Sequence, residues 1–175
     1  MGKRGFLSML LGIGGGDSPK TKTPLSPIRA ASHPIHFDGT LVDKLKNDHT
    51  ELFRLYHELR TVSEHGDFSA LPDLLASFRL ALQTHLMVEN VKFYAYLQQN
   101  FANDADLMTY IVNIKKEMDV IARAVVKFTN TYASQRLTSE KAAAFGKELD
   151  QIGGTLVKRV GLEETRLYTL YMPSY

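Results

Sequence analysis

The chain has 175 residues, 44% hydrophobic and 23% charged, enough for one domain with a substantial core. A net charge of +2 gives no electrostatic basis for binding nucleic acid or an acidic partner. There is no Cys, which excludes disulfides, thiolate zinc sites, iron–sulfur clusters and Cys nucleophiles together. That composition fits a reducing compartment, and the expectation is a cytoplasmic protein.

The N-terminal MGKRGFLSMLLGIGGG joins a basic start to an apolar run shorter than the roughly 20 residues needed to span a bilayer. No small-x-small cleavage site follows it directly. Phe6 stands where a myristoylation signal would carry Ser or Thr. Phe6, Leu10, Leu11 and Ile13 could make a weak peripheral membrane contact. GIGGGD lacks the GK[ST] ending and the preceding strand of a phosphate loop. Residues 14–38 hold most of the prolines and many Ser, Thr and Lys residues. Residues 1–38 are therefore expected to form a disordered tail and linker, and 39–175 the folded domain. SHPIHF sets His33 and His36 at a spacing that could suit a metal, but inside that linker.

From Thr40 onward the apolar residues step by three and four, the period of a helix with one buried face. The first helix is expected from about Thr40 to Glu64, with seam Leu41, Leu45, Asp48, Leu52, Leu55, Leu59 and Val62. HGDFS turns the chain. The second is expected from about Ser69 to Phe101, with Pro72 in its first turn. The third is expected from about Asp104 to Tyr132, with seam Leu107, Ile111, Ile114, Glu117, Ile121, Val125 and Phe128. The fourth starts near Thr138 or Ser139 and reaches about Leu167, with seam Phe145, Leu149, Ile152, Leu156, Arg159, Glu163, Leu167 and Leu170. Gly153 and Gly154 weaken it locally and mark a close approach or a kink. Four such helices with short turns predict an all-α, antiparallel up-down-up-down four-helix bundle.

Each seam has a polar interruption. The first helix carries Asp48 and His49, the second His85 and Glu89, the third Glu117 with Asn113 a turn before it, and the fourth Arg159 and Glu163. Counted from the helix ends that share one end of the bundle, these positions fall in a band of about 10–15 Å. Buried charges cost several kcal/mol unless paired or bound to metal. The residues are therefore expected to meet, as a metal site or as a salt-bridge cluster. His57 and His65 read as an exposed helix face and a turn, Met87 as packing, and Tyr94, Tyr96, Tyr110, Tyr168 and Tyr171 as core or rim aromatics.

With these residues in place, the chain resembles the hemerythrin-like (HHE cation-binding) family over about residues 40 to 171. The resemblance rests on NDHTEL, HLMVEN, KKEMD and RVGLEETRLYTLY. It implies a four-helix bundle that binds two irons. It also implies that His49, His85, Glu89 and Glu163 (or Glu164) are ligands. The family pattern calls for histidines in the third and fourth helices, where this chain has Asn113, Glu117 and Arg159. Arg cannot coordinate, because its guanidinium has no free lone pair. Glu117 could still coordinate, and three arrangements follow: one metal with Arg159 in the second position, a metal-free cluster in which Arg159 pairs with Glu89, Glu117 and Glu163, or two metals in a carboxylate-rich site with Arg159 turned away.

The expected function is that of an iron-binding sensor or regulatory protein with a reduced site. The alternative is a metal-free interaction module on the same scaffold, with a protein partner. No Glu-x-x-His pair of the oxidase type occurs, and no spacing supports a Ser-His-Asp triad, so no enzyme is expected.

Overall fold

The computed structural model describes residues 34–134 and 137–173. Helix α1 is Leu41–His65. Its end is fixed by Gly66, whose φ of 72° lets its N–H turn back to the carbonyl of Val62. Thr40 precedes α1 without a side-chain cap; its hydroxyl donates to Asp38 instead, at 2.7 Å. Helix α2 covers 71–100 in three continuous pieces: α-helical Leu71–Val88, π-helical Glu89–Tyr94 and α-helical Ala95–Asn100. Helix α3 is Ala105–Ala133, capped by the Asp104 carboxylate, which accepts from the Leu107 N–H at 2.9 Å. Helix α4 is Ser139–Leu162 and runs on through a π-helical turn, Glu163–Leu167, into the 3₁₀ turn Tyr168–Leu170.

These four helices form the expected all-α bundle, with no strand among the described residues. Both α1 and α3 pack against α2 and α4, which closes the ring of neighbours. Residues 34–38, which the sequence assigns to the linker, lie against the bundle. Ile35 exchanges two hydrogen bonds with the Gln99 side chain, at 2.8 and 3.0 Å. The Phe37 ring sits 5.0 Å from that of Tyr171. The proposed tail contact through Phe6 to Ile13, and His33, lie outside the described residues. Among the described residues no helix is long and apolar enough to cross a membrane.

The core is in two parts. One apolar cluster holds Leu52, Leu59, Phe78, Leu82, Val125, Phe145 and Leu156 with their neighbours. The other holds Leu41, Leu45, Phe93, Leu97, Ile111, Ile114 and Leu167. On α1, α2 and α4 the chain passes from one cluster to the other through buried polar residues. These are His49 on α1, His85 and Glu89 on α2, and Arg159 and Glu163 on α4. On α3 the passage is apolar, from Ile114 to Met118.

Gly153 lies where α1 meets α4. A Cβ there would fall 2.3 Å from Cζ of Tyr56, so only glycine lets the Tyr56 ring lie across α4. At Gly154 nothing lies within 4 Å. Of the two glycines, the first marks the close approach.

Candidate metal centre

The polar layer is built from three helices. Ligand atoms of His49, His85 and Glu163 lie within 4.8 Å of one another, and all three residues are buried. His49 Nε2 is 3.1 Å from Glu163 Oε2, and His85 Nε2 is 3.7 Å from Glu89 Oε2. The outer nitrogen of each histidine faces a carboxylate. His49 Nδ1 is 2.8 Å from Glu164 Oε1, and His85 Nδ1 is 3.6 Å from Asp48 Oδ2. Without metal His49 Nε2 donates to Glu163; a metal would displace that proton and take the Nε2 lone pair, with the proton kept at Nδ1.

Arg159 supplies the positive charge of the layer. Its Nε donates to Glu163 and its Nη2 donates to the Tyr94 hydroxyl at 2.6 Å. Tyr168 donates to Glu89 Oε1 at 3.1 Å, and its oxygen is 3.3 Å from His49 Nε2. Among the described residues, three buried polar side-chain atoms have no hydrogen-bond partner: His85 Nδ1, Glu89 Oε2 and Arg159 Nη1. An orphaned carboxylate oxygen beside the His85 imidazole is a costly arrangement that a cation would satisfy. The donor set, two imidazoles and the Glu163 carboxylate with Glu89 beside them, suits a first-row divalent or trivalent metal. The residues present fit a metal ion.

Without metal, the layer divides its charges unevenly. Burial, reinforced by the charge of Glu163, pushes Glu89 up to about 8. Burial and the neighbouring His49 pull His85 down to about 4. Burial also opposes the charged forms of Glu163 and His49. Their mutual hydrogen bond and the charges around them together outweigh it, so Glu163 ends below and His49 above its ordinary value. Arg159 adds to the lowering of Glu163 and Glu164 to the raising of His49. The Tyr168 phenol is pushed upward by burial and then by Glu89.

Of the predicted residues, His49, His85, Glu89, Arg159 and Glu163 converge. Glu117 does not: it is exposed on α3, as is Asn113. After Ile114 the seam could step three residues to Glu117 or four to Met118. The apolar side chain takes the buried position, because a carboxylate there would be desolvated. Met118 is 6% exposed. Met87 is not packing either; it is 61% exposed on the outer side of α2. His57 and His65 are exposed, as expected. Between Glu163 and Glu164 the roles separate. Glu163 enters the donor set, and Glu164 holds the back of His49.

Tyr94 and Tyr168, expected from sequence as core or rim aromatics, are buried and also hydrogen-bond within the layer. The cause is the two π-helical turns, each of which begins at a buried carboxylate of the layer, Glu89 or Glu163. A π turn holds one more residue than an α turn, so positions four and five after the carboxylate share its face. Phe93 and Tyr94 follow Glu89 in this way, and Leu167 and Tyr168 follow Glu163; all four are buried. A groove of about 360 Å³ between α1 and α2, lined by Asp48, Leu55, Leu80, Ala81, Thr84 and His85, reaches the layer from outside.

Buried imidazoles and carboxylates between two apolar clusters of an antiparallel four-helix bundle define a cation-binding bundle domain. The Hemerythrin HHE cation binding domain matches residues 40–171, and the chain belongs to that family. No curated protein and no solved structure matches it.

Proposed function

We propose that the domain binds a single iron ion through His49, His85, Glu89 and Glu163 and serves as a cytoplasmic sensor or regulatory module rather than an enzyme. The observation that carries this reading is the cluster of His49, His85 and Glu163 ligand atoms within 4.8 Å, beside an unpartnered oxygen of Glu89. Iron held there supplies redox chemistry and affinity for small diatomic gases. The protein's own residues do the rest. Glu164 orients the His49 imidazole, Arg159 offsets carboxylate charge where the family's second ion would stand, and the two apolar clusters keep bulk water out. Binding is read out as a gain in bundle stability, because a ligand that binds only the folded state stabilises it.

Metal analysis of protein purified without an affinity tag tests this reading. About one iron per chain is expected, lost in a His49→Ala, His85→Ala double variant. The alternative, a metal-free interaction module, draws on the ion pairs that Glu163 already makes with Arg159 and His49. Wild-type protein that takes up no iron under reducing conditions, yet stays fully folded, would select it.

A further inference from the structure

One more oxygen stands among the candidate ligand atoms. Tyr168 Oη lies 3.3 Å from His49 Nε2 and 3.1 Å from Glu89 Oε1. Donors held about 2.0–2.2 Å from one metal ion sit about 2.8–3.6 Å apart along an edge of a tetrahedron or octahedron. The phenol oxygen keeps that spacing from two ligand candidates. His49 Nε2 and Glu163 Oε2 keep it from each other, at 3.1 Å.

The ring has no room to turn away. Tyr168 is 5% exposed. It lies parallel to the His49 ring, with planes 8° apart and centroids 5.9 Å apart, and Phe93 packs edge-on against it at 5.1 Å. The π turn at Glu163–Leu167 aims it into the layer, where a regular α turn would carry it off the buried face.

We propose that Tyr168 is itself a ligand of the metal and binds iron(III) as a phenolate. This inference rests on the iron reading above and extends its donor set. On binding, the Oη–H bond breaks, an Oη–iron bond forms, and the proton leaves to bulk water. Charge favours the step. Iron(III) with Arg159, Glu89 and Glu163 leaves the dry layer with an excess of positive charge, and a phenolate removes one unit of it. Tyrosinate is an established type of iron ligand.

The test is to load the full chain with iron(III) supplied as its citrate complex. Bound iron, visible absorption and resonance Raman spectra are then recorded for the wild type, Tyr168→Phe and Tyr94→Phe. The wild type is expected to show a phenolate charge-transfer band with enhanced ring modes, and Tyr168→Phe to lose both while retaining helical circular dichroism. Bound iron in the wild type without phenolate modes overturns the ligand assignment and leaves the iron reading standing. So does a band that survives in Tyr168→Phe or disappears only in Tyr94→Phe. A wild type that takes up no iron overturns both, and this result does not depend on how either variant folds.

Discussion

Arg159 crosses the bundle from α4 to donate to the hydroxyl of Tyr94 on α2, 2.6 Å away, while its Nε holds Glu163. One side chain therefore ties two helices together and compensates a buried carboxylate. Burial opposes its charge, but Glu163, Tyr94 and Glu89 together more than restore it. Arg159→Leu leaves Glu163 without its guanidinium partner. The metal-free variant is expected to lose a few kcal/mol in urea unfolding, the usual cost of breaking a buried pair by removing one member. Iron(II) should restore part of the loss, because a cation replaces the missing charge. Arg159→His, which places a nitrogen ligand at that position, should raise bound iron per chain above the wild-type value. Neutral behaviour of Arg159→Leu together with unchanged iron in Arg159→His would sink the role given to Arg159.

Glu89 makes one separable contribution to the pH dependence of the metal-free protein. Folded, it keeps its proton to about pH 8, whereas the ordinary value is 4.5. Between those limits the folded state holds one more proton at Glu89 than the unfolded state, so the Glu89 contribution falls as pH rises, while His85, pulled down from 6.5 to about 4, contributes the opposite slope over its own narrower range. The Glu89 contribution is complete below 4.5 and gone above about 8. Glu89→Gln, neutral at every pH, should remove this slope. Denaturant unfolding in the presence of a chelator should show wild type losing a few kcal/mol relative to Glu89→Gln across the interval. Equal slopes in the two proteins would contradict the burial of a lone carboxyl at that position.

Glu117 and Glu163 were given the same role by sequence and hold opposite positions in the fold. Glu117 is exposed, and Glu163 is 1% exposed among the donors. Glu117→Ala should leave both iron content and stability within about 0.5 kcal/mol of wild type, as for an ordinary surface change. Glu163→Ala should abolish iron binding and free Arg159 from its ion pair. Calorimetric iron titration of both variants checks the contrast, and a lowered affinity in Glu117→Ala would restore α3 to the site.

The bundle was legible because its signal is repeated. Leu41, Leu45, Leu52 and Leu59, or Leu71, Leu75, Phe78 and Leu82, each state the period several times over. The polar layer was legible for a different reason. His85 and Glu89 interrupt an otherwise apolar stripe, and a buried charge is too costly to stand there without partners. The same argument, carried one step further, would have chosen Met118 over Glu117. The π turns left no such trace. A period of three and four places residue 168 off the buried face, and only the backbone rearrangement after Glu163 brings Tyr168 inward. The glycine pair marked a close approach without saying which residue made it.

That pair supplies a test of the fold itself. A Cβ on Gly153 would stand 2.3 Å from Cζ and 2.4 Å from Cε2 of Tyr56, far inside contact distance. Tyr56 is 8% exposed and reaches Asp150 with its hydroxyl at 3.4 Å, so the ring cannot yield without disturbing the α1–α4 seam. Gly153→Ala should therefore destabilise by about 1–3 kcal/mol, overpacking outweighing the gain in helix propensity. Gly154→Ala has open space around its Cβ and should stabilise by about 0.5–1 kcal/mol through propensity alone. In a Tyr56→Leu background the obstructing ring is absent, and Gly153→Ala should there become neutral or stabilising. The resulting coupling between positions 56 and 153 is measurable as a double-mutant cycle in urea. A coupling near zero would mean that Tyr56 does not lie across Gly153 and that the seam between α1 and α4 is packed in another register.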